Sequence, residues 1–244
     1  MGAVNSGKLH PITQTVREAV AIFNKLGFEV AEGPELETEH YNFDALNIPA
    51  NHPARDMQDT FWLKPPTTNK QQPTTREKKD RLLLRTHTSP VQIRYMEKHN
   101  PPIRIIAPGK VFRNEATDAT HEAQFFQLEA LYVDKNVSIA HLKGTIETFA
   151  REFFGEQTEI RFRPSFFPFT EPSVEVDVKF NGKWLEMIGA GLVHPNVLKA
   201  AGHDPKKYQG FAFGMGIDRL VLVKTGITDI RMLYNGDLRV INQF

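Results

Sequence analysis

Strand segments separated by very short turns limit the possible folds of this 244-residue chain more than any other feature. Strands are predicted at 160–163, 174–180 and 183–188, and the Asn181-Gly182 pair between the last two is typical of a tight hairpin turn. Strands that are joined by hairpin turns run antiparallel. The second half of the chain is therefore predicted to contain an antiparallel sheet.

Helices are predicted before and between these strands. The first follows Pro11, ends at Gly27, and has apolar residues at helical spacing, namely Val16, Val20, Phe23 and Leu26. Ser89 and Ser138 are predicted helix caps, and a final helix is predicted at 216–225. Further strands are predicted at 28–31, 82–84, 103–107, 110–114 and 124–133. This order favours an α+β fold, an antiparallel sheet flanked by helices, over a doubly wound parallel sheet.

Composition narrows the class of protein. Hydrophobic residues make up 40% and charged residues 24%, which is typical of a soluble globular domain with a substantial core. No apolar run is long enough to span a membrane, and residues 1–7 lack the apolar stretch of a secretory signal. The absence of cysteine excludes disulfides and thiolate metal sites, so we expect a cytoplasmic location. A net charge of +1 does not by itself indicate a nucleic-acid partner.

One segment, 64–81, differs from the rest in composition. It has six basic residues, two acidic residues and three prolines, which predicts a flexible basic loop. A solvated surface loop is the simpler interpretation. A mobile loop near a ligand that carries phosphate groups is the alternative.

A predicted hairpin concentrates polar residues on one face. If 110–114 pairs with 124–133, Arg113 and Glu115 share a face on one strand, and Phe125, Gln127 and Glu129 share a face on the other. Isolated charges on a buried face would cost several kcal/mol. The face is therefore either an exposed network of ion pairs or a cradle in which arginine binds phosphate, an aromatic ring stacks on a base and acids hold an ammonium group.

Other segments could also contribute to a site. The glycines of 210–216 precede Arg219, but their spacing matches neither a Walker A loop nor a Rossmann fingerprint, and tight packing explains them equally well. His87 and Ser89 stand at a predicted helix start and could face a ligand, although a single histidine is more often structural. Segment 165–172 combines an aromatic cluster with Glu171, and segment 184–195 combines a glycine pair with Glu186.

Read together, these segments resemble the phenylalanyl-tRNA synthetase alpha subunits of the bacterial type, which are class II enzymes. The resemblance runs from about His10 to Phe244, and 27–63 is similar to the family's dimer-interface motif with Pro34 as its proline. It rests on the motifs RTHTSP (85–90), VFRNE (111–115), FFQLE (125–129), FPFTEP (167–172), GLVHPNVL (191–198) and GMGIDR (214–219). The resemblance implies a class II catalytic domain at 10–244, with 64–81 as its basic loop and 1–9 as a leader or truncated linker.

The resemblance also implies how ATP is bound. Arg113 and Arg219 are the implied catalytic residues, the first on the α-phosphate and the second at the far end of ATP. Glu115 is expected at the adenine edge, Phe125 on the adenine ring and His121 near the phosphates. In this family no side chain acts as a nucleophile, because the substrate carboxylate attacks phosphorus.

The amino-acid side of the site follows from the same resemblance. Residues implied around the ammonium and carboxylate groups of phenylalanine are Trp62, His87, Ser89, Gln127 and Glu129. Phe167, Phe169 and Ala212 are expected to form the slot for its ring, and Glu171 to contact Mg²⁺.

The implied activity is activation of L-phenylalanine with ATP and its transfer to tRNA(Phe), in an α2β2 assembly with a beta subunit. Another class II synthetase or ligase and a non-catalytic amino-acid-binding paralogue are the alternatives. The chain departs from the family in two respects. It begins almost at the catalytic core, without the N-terminal coiled-coil arm that reaches tRNA, so weak tRNA binding is expected. Asp218 also stands where glutamate is usual.

Overall fold

A seven-stranded sheet forms the centre of the protein, which is described from a computed structural model covering residues 7–56, 59–63 and 81–244. In chain order the strands are β1 (Glu29–Val30), β2 (Leu36–Thr38), β3 (Leu82–Leu84), β4 (Ile103–Phe112), β5 (Gln124–Asp134), β6 (Ile160–Phe167), β7 (Thr170–Phe180), β8 (Lys183–Val193) and β9 (Gln209–Gly216). The sheet order is β1-β4-β5-β9-β8-β7-β6, and β2 and β3 form a separate pair. Among the described strands of this sheet only β1 pairs with its neighbour in parallel, so the predicted α+β class with an antiparallel sheet is confirmed.

The described helices cover parts of both sheet faces. They are α1 (Pro11–Lys25), α2 (Glu39–Asn42), α3 (Pro90–Met96), α4 (Ile139–Phe154), α5 (Pro195–Ala200), α6 (Ile217–Thr225) and α7 (Leu238–Ile241), with short 3₁₀ turns at Asp44–Leu46, Pro53–Arg55 and Ile230–Leu233. None of these helices combines the length and apolar character needed to cross a membrane.

Helices α1, α4 and α6 build the core on one sheet face. Helix α1 buries Ile12, Ala19, Ile22 and Phe23, so Val16 and Val20 of the predicted stripe lie at its partly buried margin. In α4 the predicted cap Ser138 forms a capping box with His141, and the helix buries Leu142, Ile146 and Phe149 as expected. The rings of Phe23 and Phe149 stack at 4.8 Å and join the two helices over the sheet.

The opposite sheet face is covered only in part. Helices α2, α3 and α5 and the turn Asp44–Leu46 pack a second core against β4 and β5, with Phe43, Leu46, Ile93 and Leu198 fully buried. The parts of β5, β8 and β9 that this layer does not cover border a cavity. The uncovered part of this face is therefore where a ligand can reach the sheet.

Three predictions of local structure need correction. The strands expected at 103–107 and 110–114 are one continuous strand, because Pro108 and Gly109 stay in register with β5. The helix at 216–225 is not the last element, since Ile230–Leu233 and α7 follow it. The sheet strands β6, β7 and β8 are longer than predicted.

The hairpin between β7 and β8 was predicted correctly. Asn181 and Gly182 both have positive φ values, 49° and 75°, which is the backbone geometry of a two-residue turn of type I′. The predictions for 1–6 and for 64–80 of the basic loop lie outside the described residues. The assignment of 1–9 as a leader and 10–244 as a catalytic domain stays a prediction.

Candidate active site

The cavity on the open sheet face has a volume of about 800 Å³. Strands β5, β8 and β9 form its floor, and the tip of the β6–β7 hairpin and the segment after β3 form its walls. Most of the sequence-predicted site residues line it, namely His87, Ser89, Arg113, Glu115, His121, Phe125, Gln127, Glu129, Phe167, Phe169, Ala212 and Arg219. One pocket thus collects residues that are more than 130 positions apart in the sequence.

Arg113 follows the end of β4 and points along the cavity. Its Nε donates to the backbone carbonyl of Thr86 over 3.2 Å, and its guanidinium carbon lies 5.0 Å from the ring centroid of Phe125. Glu115 is 3.9 Å from the Arg113 Nη1. Desolvation by the surrounding residues lowers the pKa of Arg113 although 38% of its side chain is exposed to the cavity, and guanidinium groups remain charged in proteins. An oriented cation beside an aromatic face suits a phosphate and a base.

Asn42 fixes the backbone that orients Arg113. The Asn42 Nδ2 donates to the Thr86 hydroxyl over 3.0 Å, and the Thr86 amide donates to the Asn42 Oδ1 over 3.2 Å. Both residues are buried. Asn42 was not predicted as a site residue, because a buried asparagine on a short helix has no local signature in the sequence.

Glu129 lies buried at the other end of the cavity. Its Oε2 accepts the Ser89 hydroxyl over 2.5 Å and the Gln92 amide over 2.8 Å. Burial raises the pKa of Glu129 to about 7, although these hydrogen bonds oppose the shift. Ser89 occupies the N-cap position of α3 as predicted, but its side chain does not cap the helix. Gln92 lies three residues further on the same helix face, and its role was missed.

Some buried polar atoms around the cavity have no partner among the described residues. They include the Oε1 of Gln127, and the ring nitrogens of His87 have at most a weak contact with the Asn42 backbone. Burial, together with the charge of Arg113, lowers the pKa of His87 to about 3, so its ring is neutral at physiological pH. Leaving such atoms unpaired costs roughly 1–3 kcal/mol each, so the arrangement is suited to a polar ligand that supplies the missing bonds.

An aromatic slot lies between these two polar regions. The rings of Phe167 and Phe169 are nearly parallel, with centroids 5.8 Å apart, and Ala212 lies opposite Gly191 and Leu131 in the sheet. A Cβ on Gly189 would lie 3.0 Å from the Phe167 ring, closer than an ordinary contact, so a side chain there would press on the slot. The slot therefore fits a flat apolar group.

Arg219 and Asp218 begin helix α6 and point in different directions. The Arg219 Nη1 donates to the carbonyl of Glu186 over 2.7 Å, and both residues line the cavity. The buried Asp218 carboxylate accepts the Phe126 amide over 2.6 Å and the Tyr234 hydroxyl. Asp218 therefore ties the start of the helix to β5, and burial raises its pKa.

Two predicted site residues lie outside the cavity lining. The indole Nε1 of Trp62 donates to the Arg55 carbonyl over 3.3 Å, and Arg81 stacks on its ring. The side chain of Glu171 is 74% exposed and lies 3.4 Å from His194. Across the described ranges no group of three or more histidine, aspartate or glutamate side chains could hold a metal ion. Glu186, for which no role was predicted, lines the cavity and accepts from Arg219 through its backbone carbonyl, while its half-exposed carboxylate lies 3.6 Å from Arg163.

The comparisons with known proteins agree with this geometry. The family model described as tRNA synthetases class II core domain (F) matches residues 1–244. The solved structure of pyrrolysyl-tRNA synthetase from Desulfitobacterium hafniense has the same fold, with a TM-score of 0.68 at 16% identity over 93% of this chain and 74% of that chain. Fold and site together define a class II tRNA synthetase core.

Curated relatives specify the family further. Proteins named phenylalanine–tRNA ligase alpha subunit from Synechocystis sp., Alkaliphilus metalliredigens and Bacillus subtilis are 57%, 53% and 53% identical to the chain. Each match covers 98% of this chain and 67% to 69% of the relative. The chain belongs to the phenylalanine–tRNA ligase alpha-subunit family, and it spans about two thirds of the length of these relatives.

Proposed function

We propose that the chain is the catalytic core of a phenylalanine–tRNA ligase, which activates L-phenylalanine with ATP and transfers it to tRNA(Phe). One observation carries the proposal: a single cavity joins an aromatic slot that has a buried carboxylate at its head to an arginine that lies over a phenylalanine ring. The slot with its buried carboxylate suits an aromatic amino acid. The arginine over the phenylalanine ring suits a nucleotide.

The amino acid would bind with its ring in the slot. The Glu129 carboxylate and the unpaired Gln127 Oε1 would accept hydrogen bonds from the substrate ammonium group, and the Ser89 and Gln92 bonds would hold the carboxylate in place. Neutral His87 packs against Phe169, with ring centroids 6.4 Å apart, and would offer a ring N–H to a substrate oxygen. Phe167 and Phe169 would hold the side chain of phenylalanine.

ATP would bind along the Arg113 end of the cavity. The adenine ring would stack on Phe125 with Glu115 at its edge, and the α-phosphate would bind Arg113. Arg219 and His121 border the remaining space and would bind the outer phosphates. The phenylalanine carboxylate would then lie between Glu129 and Arg113, next to the α-phosphorus.

The chemistry that follows needs positioning and charge stabilisation rather than a protein nucleophile. A carboxylate oxygen of phenylalanine attacks the α-phosphorus, the bond to the bridging oxygen breaks, and pyrophosphate leaves. Negative charge grows on the non-bridging oxygens, where the guanidinium of Arg113 is already oriented by Thr86. Donors that are held in place before the reaction typically lower such barriers by about 3 kcal/mol.

Magnesium is expected with ATP in this family, and one carboxylate suits it. Mg²⁺ usually binds one or two carboxylates together with substrate phosphates and water. Glu186 lines the cavity, and its carboxylate is half exposed and only 3.6 Å from one cation, Arg163, whereas Glu171 lies outside the cavity lining. We therefore place Mg²⁺ on Glu186 and the ATP phosphates, where it would neutralise charge on the leaving group.

The partners and location proposed for the chain follow from its family. They are tRNA(Phe) as acceptor, a beta subunit in an α2β2 assembly, and the cytoplasm.

The decisive experiment is phenylalanine-dependent exchange of labelled pyrophosphate into ATP. We expect exchange with phenylalanine and much less with tyrosine, because the slot residues Phe167, Phe169 and Ala212 offer no partner for a phenol hydroxyl. An unpaired buried hydroxyl costs roughly 1–3 kcal/mol. A thermal-shift titration with phenylalanine runs in parallel. Stabilisation by phenylalanine without exchange would contradict the proposal and indicate an amino-acid-binding paralogue.

Ala212→Gly is expected to admit para-chlorophenylalanine. Ala212 is 8% exposed on β9, and removing its methyl group opens room in the slot for a larger substituent. One buried methylene-sized group is worth about 1 kcal/mol or more in such pockets, so we expect at least a fivefold rise in kcat/KM for the chlorinated substrate. The measurement is pyrophosphate exchange with both amino acids.

Ala130→Gly is the matched control for this substitution. Ala130 is fully buried on β5 and packs in the core on the other sheet face. The control should lose stability without gaining the chlorinated substrate. Equal kcat/KM values for para-chlorophenylalanine in the parent and Ala212→Gly would show that Ala212 does not line the slot.

A further inference from the structure

Phe166 is the most exposed large apolar side chain among the described residues, at 81%. It lies on β6, the edge strand of the sheet, where the pairing with β7 is irregular. Ser165 pairs with Ser173 and Phe167 pairs with Thr170, so two residues of β7, Glu171 and Pro172, lie opposite Phe166. The extra residue of this bulge is therefore in β7, and such bulges bend the strand and are common next to active sites. Because successive side chains of a strand alternate between faces, Phe166 lies exposed at the cavity mouth and Phe167 lies inside.

The other aromatic rings around the cavity already have partners. Phe167 stacks on Phe169, Phe169 lies against His87, and Phe125 lies against Arg113. Phe166 borders the same cavity but has no ring contact with any described residue. A single exposed ring is ordinary on a protein surface. A ring exposed on an edge strand at the entrance to a substrate cavity, opposite a bulge in the neighbouring strand, is a candidate for contact with a substrate.

The third substrate is the one that has to enter through this mouth. In the proposed function, a ribose hydroxyl at the end of the tRNA must reach the phenylalanyl carbonyl, which lies at the head of the Phe167 slot. The base attached to that ribose would then lie outside the slot, next to Phe166. Bases stack on aromatic side chains irrespective of sequence, because every base has a π face.

We propose that Phe166 stacks on the terminal base of the tRNA acceptor end and so positions the ribose hydroxyl for transfer. This inference rests on the proposed function. Phe166 would contribute to the transfer step alone, because phenylalanine and ATP fill the interior of the cavity without it.

The test uses the chain assembled with its beta subunit and compares Phe166→Ala, Phe166→Leu and Phe166→Trp. We expect pyrophosphate exchange within twofold of the parent in all three. The kcat/KM for tRNA charging should fall about tenfold in the alanine and leucine variants, in line with the measured worth of base stacking. It should stay near the parent value in Phe166→Trp, which keeps a flat ring. Reduced charging by Phe166→Leu together with parent-like charging by Phe166→Trp would show that the flat ring is required and that apolar character alone is not sufficient.

Binding of two tRNAs identifies the contact. The parent should bind tRNA(Phe) with its full acceptor end more tightly than tRNA(Phe) that lacks the terminal adenosine, and Phe166→Ala should remove most of that difference. Equal weakening with both tRNAs, or loss of the beta subunit on size-exclusion chromatography, would overturn the inference and place another partner on Phe166. Unchanged charging in Phe166→Ala would also overturn it. Absence of exchange in the parent would instead count against the proposed function.

Discussion

Arg113→Ala is expected to slow phenylalanine-dependent pyrophosphate exchange by about a hundredfold or more, because it removes an oriented donor at the phosphate that gains charge. The loss corresponds to about 3 kcal/mol of transition-state stabilisation. The side chain is partly exposed and its Nε bond goes to a backbone carbonyl, so the fold should tolerate its removal. The measurement is exchange at saturating substrates, with a thermal melt to confirm folding.

Arg113→Lys and Arg104→Ala are the controls for this result. Lysine keeps the charge but loses the planar fork and the Nε bond to Thr86, so an intermediate loss is expected. Arg104 is an exposed arginine on β4 that stacks on Tyr132, and its removal should leave exchange unchanged. Exchange by Arg113→Ala within threefold of the parent would show that another group stabilises the phosphate charge.

The β4–β5 hairpin shows what local pattern could predict. Alternation along two strands placed Arg113, Phe125, Gln127 and Glu129 on one face, and the observed register brings them to one cavity. The period of a strand is two, so a correct pairing fixes every side chain on it. The resemblance then supplied the residues from distant segments, which no local pattern could bring together.

The residues that were missed depend on contacts between distant segments. Asn42 binds Thr86 from 44 positions away, and Gln92 reaches Glu129 over 37 positions. Neither contact leaves a trace in spacing or composition. The helical spacing of the apolar residues on α1 was predicted correctly, and Val16, Val20 and Leu26 pack at the margin of the core around the buried Phe23.

Ser89 illustrates a competition that sequence alone could not resolve. A serine before Pro90 is a typical helix cap, and its hydroxyl would then accept a backbone N–H. In the structure the same hydroxyl donates to Glu129, because a buried carboxylate needs partners more than a helix end does. The roles that motif position implies for Trp62 and Glu171 stay predictions, and in the structure their side chains lie outside the cavity lining.

Glu129→Gln is expected to raise the KM for phenylalanine by about a hundredfold, because a buried charge that pairs with the substrate ammonium is typically worth 2–5 kcal/mol. Glutamine has nearly the same shape and can still accept the Ser89 and Gln92 bonds, so folding should persist. The KM for ATP should change little. Glu159→Gln is the control, since this carboxylate pairs with Lys179 outside the cavity lining. An equal KM in parent and Glu129→Gln would contradict the ammonium role.

The pH dependence of binding provides an independent test of Glu129. Its pKa is about 7 in the ligand-free chain, and only the ionised form pairs with an ammonium group. Phenylalanine affinity should therefore fall as the pH drops below 7, by up to about tenfold per unit. Binding near pH 7 should also release a proton from Glu129, which calorimetry in buffers of different ionisation enthalpy can count. The Glu129→Gln variant should release none from this site.

Unfolding experiments are less informative than binding experiments here, because two buried groups have opposite effects. Glu129 takes up a proton more readily when folded, so between pH 4.5 and 7 its contribution to stability falls as the pH rises. His87 has its pKa lowered to about 3, so between pH 3 and 6.5 its contribution rises with pH. The two slopes oppose each other over most of this range. The difference in unfolding free energy between the parent and Glu129→Gln isolates the pH dependence that Glu129 contributes. We expect the parent to lose stability relative to the variant as the pH rises from 5 to 7.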